Sequence, residues 1–172
     1  MTQILLLNGS PVYPSRSAVL LAHYENIAKQ NQWAVTNLAV RELDAKALLT
    51  AEASHPSLQA AFKAVEEALA MVVVTPTYKA AYSGVLKSFL DLLPQHALLG
   101  KKVLPLMLGA TPLHALALDY SFKPLFMALG ASHIASGAFL MDDRFSKQDG
   151  VYSLNPELQT FATSLLTDFM RA

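Results

Sequence analysis

The sequence predicts an α/β protein, a doubly wound parallel sheet of five strands with helices on both faces, formed by residues 1–172 as a single domain. Three observations carry this expectation. Short β-type runs alternate with longer stretches of helical period five times along the chain. Runs such as Met71-Val72-Val73-Val74 are apolar on both faces, which calls for a sheet covered on both sides. No linker, repeat or low-complexity tract interrupts the 172 residues, a length that suits one domain at ~100 to 200 residues each.

The elements follow in order. Residues 4–7 form the first strand, stopped by Asn8-Gly9-Ser10-Pro11, and a hydroxyl-rich stretch leads into a helix over 17–30. A strand over 34–38 is followed by a helix over 56–70, which Pro56 opens. The third strand, 71–75, leads to a helix over 83–93, and the fourth strand, 103–108, to a helix over 113–129. The fifth pair is a strand over 135–140 and a helix over 156–170. Two helices carry a further expectation. Residues 85–93 are apolar around most of the helix, so one side should face the sheet and the other a second subunit. Pro124 lies inside the 113–129 helix, where its ring collides with the carbonyl of Tyr120. A kink or a one-residue π-bulge at Tyr120 is expected.

Composition narrows the function. Hydrophobic residues make up 53% and charged residues 15%, which excludes a disordered chain. Thirteen Lys and Arg balance thirteen Asp and Glu, leaving neither a basic face for nucleic acid nor an acidic field for a cationic partner. With no cysteine, disulfides, thiolate catalysis and Cys-ligated metals are excluded, and a reducing compartment fits best. The opening apolar run is too short for a signal peptide and lacks a basic flank, and no run reaches ~18 residues. The expectation is a cytoplasmic protein that spans no membrane. The apolar fraction exceeds the need of one small core, so part of it is expected to face another subunit. The five histidines lack metal-ligand spacing, so no metal site is assigned, and no G-x-S-x-G nucleophile elbow occurs.

In a doubly wound sheet, ligands bind at the carboxyl ends of the strands near the switch in strand order. The loops after strands one, three and four are therefore the ones to read. The first, residues 8–17, sets Ser10, Ser15, Arg16 and Ser17 at the start of a helix. Free N–H groups, the positive dipole end, hydroxyls and a guanidinium suit a phosphate monoester; the plainer reading is a serine-rich helix cap. The second, residues 75–84, contains Pro76, Thr77, Tyr78, Lys79 and Tyr82 and offers a stiff surface for a planar heterocycle, or tyrosines that merely cover the sheet end. The third, residues 109–114, has Gly109, which lets a flat ligand approach the backbone, and Thr111. Neither G-x-G-x-x-G nor a P-loop is present. The charge run over 142–150 reads as a solvated loop whose position allows it to cover a ligand.

These segments, from Gly9-Ser10-Pro11 and Pro14-Ser15-Arg16-Ser17 through the long motif over 75–87 to Leu90-Asp91-Leu92-Leu93-Pro94, resemble the NADPH-dependent FMN reductases. The similarity is greatest to the flavin reductase components of two-component alkanesulfonate and methanesulfonate monooxygenase systems; it resumes over 103–106 and 114–124 and fades after Leu140. The resemblance implies a flavodoxin-like fold with strand order 2-1-3-4-5 and reduction of FMN by NADPH or NADH. It also implies delivery of reduced FMN to a partner monooxygenase, and a homotetramer built as a dimer of dimers. By position, Ser10, Ser15, Arg16 and Ser17 would hold the FMN phosphate, Pro76, Thr77, Tyr78 and Lys79 would lie along the isoalloxazine, and Gly109 and Thr111 would stand near its other side. Asp119-Tyr120 matches an inserted tyrosine that, in the sulfonate-type reductases, forms a π-bulge at the subunit interface and goes with use of flavin as a substrate. No catalytic side chain is assigned, because the flavin itself accepts the hydride. An FMN-retaining quinone or azo reductase and a flavodoxin-type electron carrier remain as alternatives, the carrier disfavoured by zero net charge.

Overall fold

A computed structural model describes residues 2–172. The strands β1 (Gln3–Asn8), β2 (Ala34–Ala39), β3 (Ala70–Tyr78) and β5 (Lys102–Gly109) lie parallel in the order β2-β1-β3-β5. Two short segments, β6 (His133–Ile134) and β7 (Ala138–Met141), share the edge beside β5. The expected order 2-1-3-4-5 holds, and its register sets Leu5 between Thr36 and Met71, and Met71 beside Val103.

Alternation along each strand divides the core in two. Leu5, Leu7, Met71, Val73, Val103 and Met107 point to one face, where α3 (Pro56–Glu67), α4 (Gly84–Leu90) and α5 (Lys123–Ala128) cover them with Leu58, Phe89 and Phe126. Ile4, Leu6, Val72, Val74, Leu104 and Leu106 point to the other, under α1 (Arg16–Gln30) and α6 (Pro156–Arg171), which contribute Leu20, Tyr24, Leu158 and Phe169. The strand runs are apolar on both faces because both faces are buried. No helix among the described residues is long and apolar enough to cross a membrane.

The structure departs from the sequence reading in five places. Of the strand expected over 135–140 only the second half forms, as part of β7, and the separate short β6 precedes it, because Pro105 in β5 has no N–H for the ladder between them. Pairing stops at His133–Ile134 and resumes at Leu106↔Ala138, and between them Gly137 takes φ +70° against Pro105, where a Cβ would not fit. The helix expected over 113–129 is also divided. A 3₁₀ turn (Pro112–His114) is followed by a π-helical turn (Leu118–Phe122), and α5 begins only at Lys123. The wider turn falls where the Pro124 ring requires the Tyr120 carbonyl to move aside. The helix over 83–93 is shorter, and its apolar circumference is largely consumed within the protomer: Leu86, Phe89 and Leu90 are buried, and Val85 and Leu92 pack against the same core. A one-turn helix, α2 (Ala45–Leu49), capped by Asp44, occupies a stretch to which the sequence assigned no element.

The fifth departure is the charge run. It folds as an antiparallel hairpin of β8 (Phe145–Gln148) and β9 (Val151–Leu154) around Asp149 and Gly150, both at positive φ, after a 3₁₀ turn (Asp142–Arg144). Phe145 and Leu154 fasten it to the face covered by α1 and α6.

Candidate functional site

The loops that follow β1, β3 and β5 meet at the carboxyl edge of the sheet. They form a small open cleft of about 190 Å³.

The first wall is the segment from Asn8 to Ser17. The Ser10 N–H donates to Asn8 Oδ1 at 2.9 Å and the Ser10 hydroxyl to the Val12 carbonyl at 3.2 Å, which tightens the turn. Ser15 is the N-cap of α1, its extended backbone (φ −144°) leading in and its Oγ accepting from the Ala18 N–H at 3.1 Å. The cap reading of Ser15 is therefore correct, and it coexists with a site, since an accepting hydroxyl still has its own proton to donate. Ser10, Ser15 and Ser17 are buried at the cleft floor, and Arg16 lies among them at the positive end of the helix.

The second wall is the end of β3. The chain turns back at Lys79 and Ala80 into β4 (Ala81–Tyr82), pairing Thr77 with Tyr82 and Tyr78 with Ala81. Both turn residues are left-handed, with φ of 50° and 61°, the geometry of a two-residue hairpin turn that usually takes Asn and Gly. Non-glycine residues pay for this conformation with steric strain. Pro76, Thr77 and Tyr78 line the cleft, whereas Lys79 stands at the turn tip, exposed and outside it.

The two walls are tied together by a device that sequence reading missed. Ser83, the N-cap of α4, accepts from the Leu86 N–H at 3.1 Å and donates to the Gly9 carbonyl at 2.5 Å, while its own N–H donates to Thr75 Oγ1 at 3.0 Å. All four residues are buried. A Cβ on Gly9 would meet the Leu86 side chain at 2.9 Å, so glycine is needed for the walls to close up. The signal was available as a serine one residue before an apolar helix.

The third wall is Leu108, Gly109 and Ala110. The Gly109 Cβ position is filled by the Phe139 ring at 2.7 Å, so sheet packing, and not only a ligand, requires glycine there. Thr111 does not line the cleft. Its hydroxyl caps the following 3₁₀ turn by accepting from the Leu113 N–H at 3.3 Å.

A fourth wall comes from the hairpin region. Asp142, at the end of β7, and Tyr152, on β9, both line the cleft beside Arg16. They stand more than 120 residues from Arg16 in sequence, and only the fold brings them there.

Two polar atoms in this cleft have no partner among the described residues: Arg16 Nε and Thr77 Oγ1, both buried. Leaving such groups without a partner costs about 1 to 3 kcal/mol each, so the site is built for something that accepts from both. A phosphate end at the serine and arginine wall and a polar heterocycle edge at Thr77, flanked by the flat surfaces of Pro76 and Tyr78, satisfy this requirement.

Residues 2–145 match the family model of the NADPH-dependent FMN reductases. An FMN reductase (NADPH) of Escherichia coli strain K12 is 38% identical over 170 residues, 99% of this chain and 89% of that protein. The solved apo form of an NADH:FMN oxidoreductase superposes with a TM-score of 0.83 at 33% identity, covering 98% of this chain and 88% of that one. An archaeal flavodoxin structure at 9% identity has a TM-score of 0.62 over 99% of this chain and 97% of that one, a likeness of fold alone.

Proposed function

The chain belongs to the NADPH-dependent FMN reductase family, and from that premise we propose that it treats FMN as a substrate that comes and goes, releasing the reduced form to a flavin-dependent monooxygenase of sulfonate metabolism. The broader activity follows from the family: it is an oxidoreductase that reduces FMN with NADPH or NADH.

The chemistry comes from the flavin, which when bound accepts a hydride from the nicotinamide ring. The protein's part is placement. The serine hydroxyls, the N–H groups opening α1 and the Arg16 guanidinium would hold the phosphate. Thr77 would supply its unpartnered hydroxyl to the ring edge, with Pro76 and Tyr78 along one side and Gly109 at the other. The bonds from Ser83 to Gly9 and Thr75 hold the two walls at a fixed distance, so that the reacting rings meet with little reorganisation.

The observation that carries the substrate reading is the π-helical turn Leu118–Phe122, at the tyrosine by which the sequence resembles the sulfonate-type reductases. Tyr120 is 81% exposed, and Leu113, Leu116 and Met127, near it in sequence, are exposed as well. Exposed apolar side chains favour burial against another copy, which supports a subunit contact at Tyr120; the family resemblance extends this to a tetramer of two dimers. Deleting Tyr120 tests the reading. The expected variant regains regular helix spacing, leaves the column yellow with retained FMN and fails to support a coupled oxygenase. A colourless variant that supports the oxygenase at the parent rate would contradict it, and so would a parent protein that itself retains FMN and passes electrons to quinones instead.

A further inference from the structure

Arg16 is the only cation among the described residues lining the cleft, and a carboxylate stands next to it. Asp142 Oδ2 lies 3.6 Å from Arg16 Nη1, near enough for charge attraction and too far for a hydrogen bond. Both side chains are partly open to solvent, 36% for Arg16 and 29% for Asp142, so the pair is weak and readily exchanged. The position of Asp142 is nevertheless fixed by the sheet, because it directly follows Met141, which pairs with Gly109 in the β5–β7 ladder. The plane of the guanidinium is supported from another side, its Cζ lying 5.0 Å from the centre of the Tyr152 ring. Lys147 Nζ is also 5.0 Å from that ring. Arg16 Nε remains buried and unpartnered.

An anion beside the guanidinium opposes any phosphate that arrives there, because the two negative groups want the same cation and repel each other. In a site evolved only for tight retention, such a carboxylate works against its purpose. We propose that Asp142 is a built-in competitor for Arg16: it holds the guanidinium by charge alone, yields it to the FMN phosphate, and takes it back when the flavin leaves. The effect is a selective weakening of binding at the phosphate end, which keeps FMN exchangeable while Tyr152 keeps Arg16 in place. This rests on the reading that Arg16 faces the FMN phosphate.

Equilibrium binding, followed by flavin fluorescence without nicotinamide, tests it apart from activity. Asp142→Asn is expected to lower the Kd for FMN on the order of threefold to fivefold at low ionic strength, the scale of one accessible ion pair. Riboflavin, lacking the phosphate, should bind within about twofold of the parent. The inhibition constant of inorganic phosphate against FMN should fall by the same factor, and Asp142→Ser, checked for folding by circular dichroism, should reproduce the gain. In an Arg16→Ala background the gain should vanish. An unchanged or raised Kd for FMN in Asp142→Asn overturns the proposal, as does an equal gain for riboflavin or a gain that survives Arg16→Ala. If Arg16→Ala alone leaves FMN binding unaltered, the phosphate assignment itself fails. If Arg16→Ala weakens FMN while Asp142→Asn does nothing, only the competition fails.

Discussion

At the level of single residues, the consequences of the cleft differ sharply between charge and packing. Arg16→Ala removes a charge-assisted contact and should weaken FMN binding by about 1.5 to 3 kcal/mol while changing riboflavin binding much less. Titrating both flavins checks this, and equal losses would separate Arg16 from the phosphate. Tyr24 shows the opposite case. Its hydroxyl is buried in the α1 core with no partner among the described residues, and burial pushes the phenol well above its ordinary value of 10.0. The unfolded chain therefore ionises first as pH rises, so this group's contribution is complete below about pH 10 and is lost as pH climbs toward the folded value. Tyr24→Phe should raise stability by about 1 kcal/mol at neutral pH and flatten the alkaline decline, both readable in denaturant melts across pH. The serines and Arg16 were legible in the sequence because they share one short loop. Asp142 and Tyr152 were not, since no local pattern announces a contact made across the whole chain.

The hairpins show what local signals do and do not reveal about an element. Asp149-Gly150 is a strong two-residue turn signal, but the surrounding charges made the stretch read as solvated loop. Lys79-Ala80 carries no such signal, and the β3–β4 turn forms in spite of its residues, held by Ser83 and Thr75 behind it. Ala80→Gly should relieve the strain at φ 61° and stabilise the fold by about 1 kcal/mol, measured by urea unfolding; a loss of stability would show that the turn is not strained. The edge strand and the fourth helix were misread in their boundaries for a common reason. A proline in each neighbourhood, Pro105 and Pro124, breaks hydrogen bonding that periodicity alone cannot see. The π-helical turn was legible because the conflict of Pro124 with the Tyr120 carbonyl is local.

For the whole molecule, alternation and apolar runs were enough to place the sheet and the ends of the strands where the cleft lies, and the strand order came from the family resemblance. They did not indicate which apolar surface stays outside. The segment 85–93 was expected to face another subunit, yet its apolar residues are largely buried within the protomer, and four of the exposed large apolar side chains, Leu113, Leu116, Tyr120 and Met127, lie on the π-helical turn and its flanks. Sedimentation at micromolar concentration should show species larger than the 18.6 kDa protomer, and Leu116→Asp should shift the distribution toward smaller ones. A parent protein that sediments only as the protomer would remove the assembly from the account. The central claim is that FMN enters the cleft, is reduced and leaves. Anaerobic incubation of the purified protein with NADPH or NADH and a large molar excess of free FMN, followed by flavin absorbance, tests it most directly. The expected result is reduction of the entire flavin pool over many turnovers by a protein that is colourless before FMN is added. Reduction that halts at one flavin per protomer would contradict it.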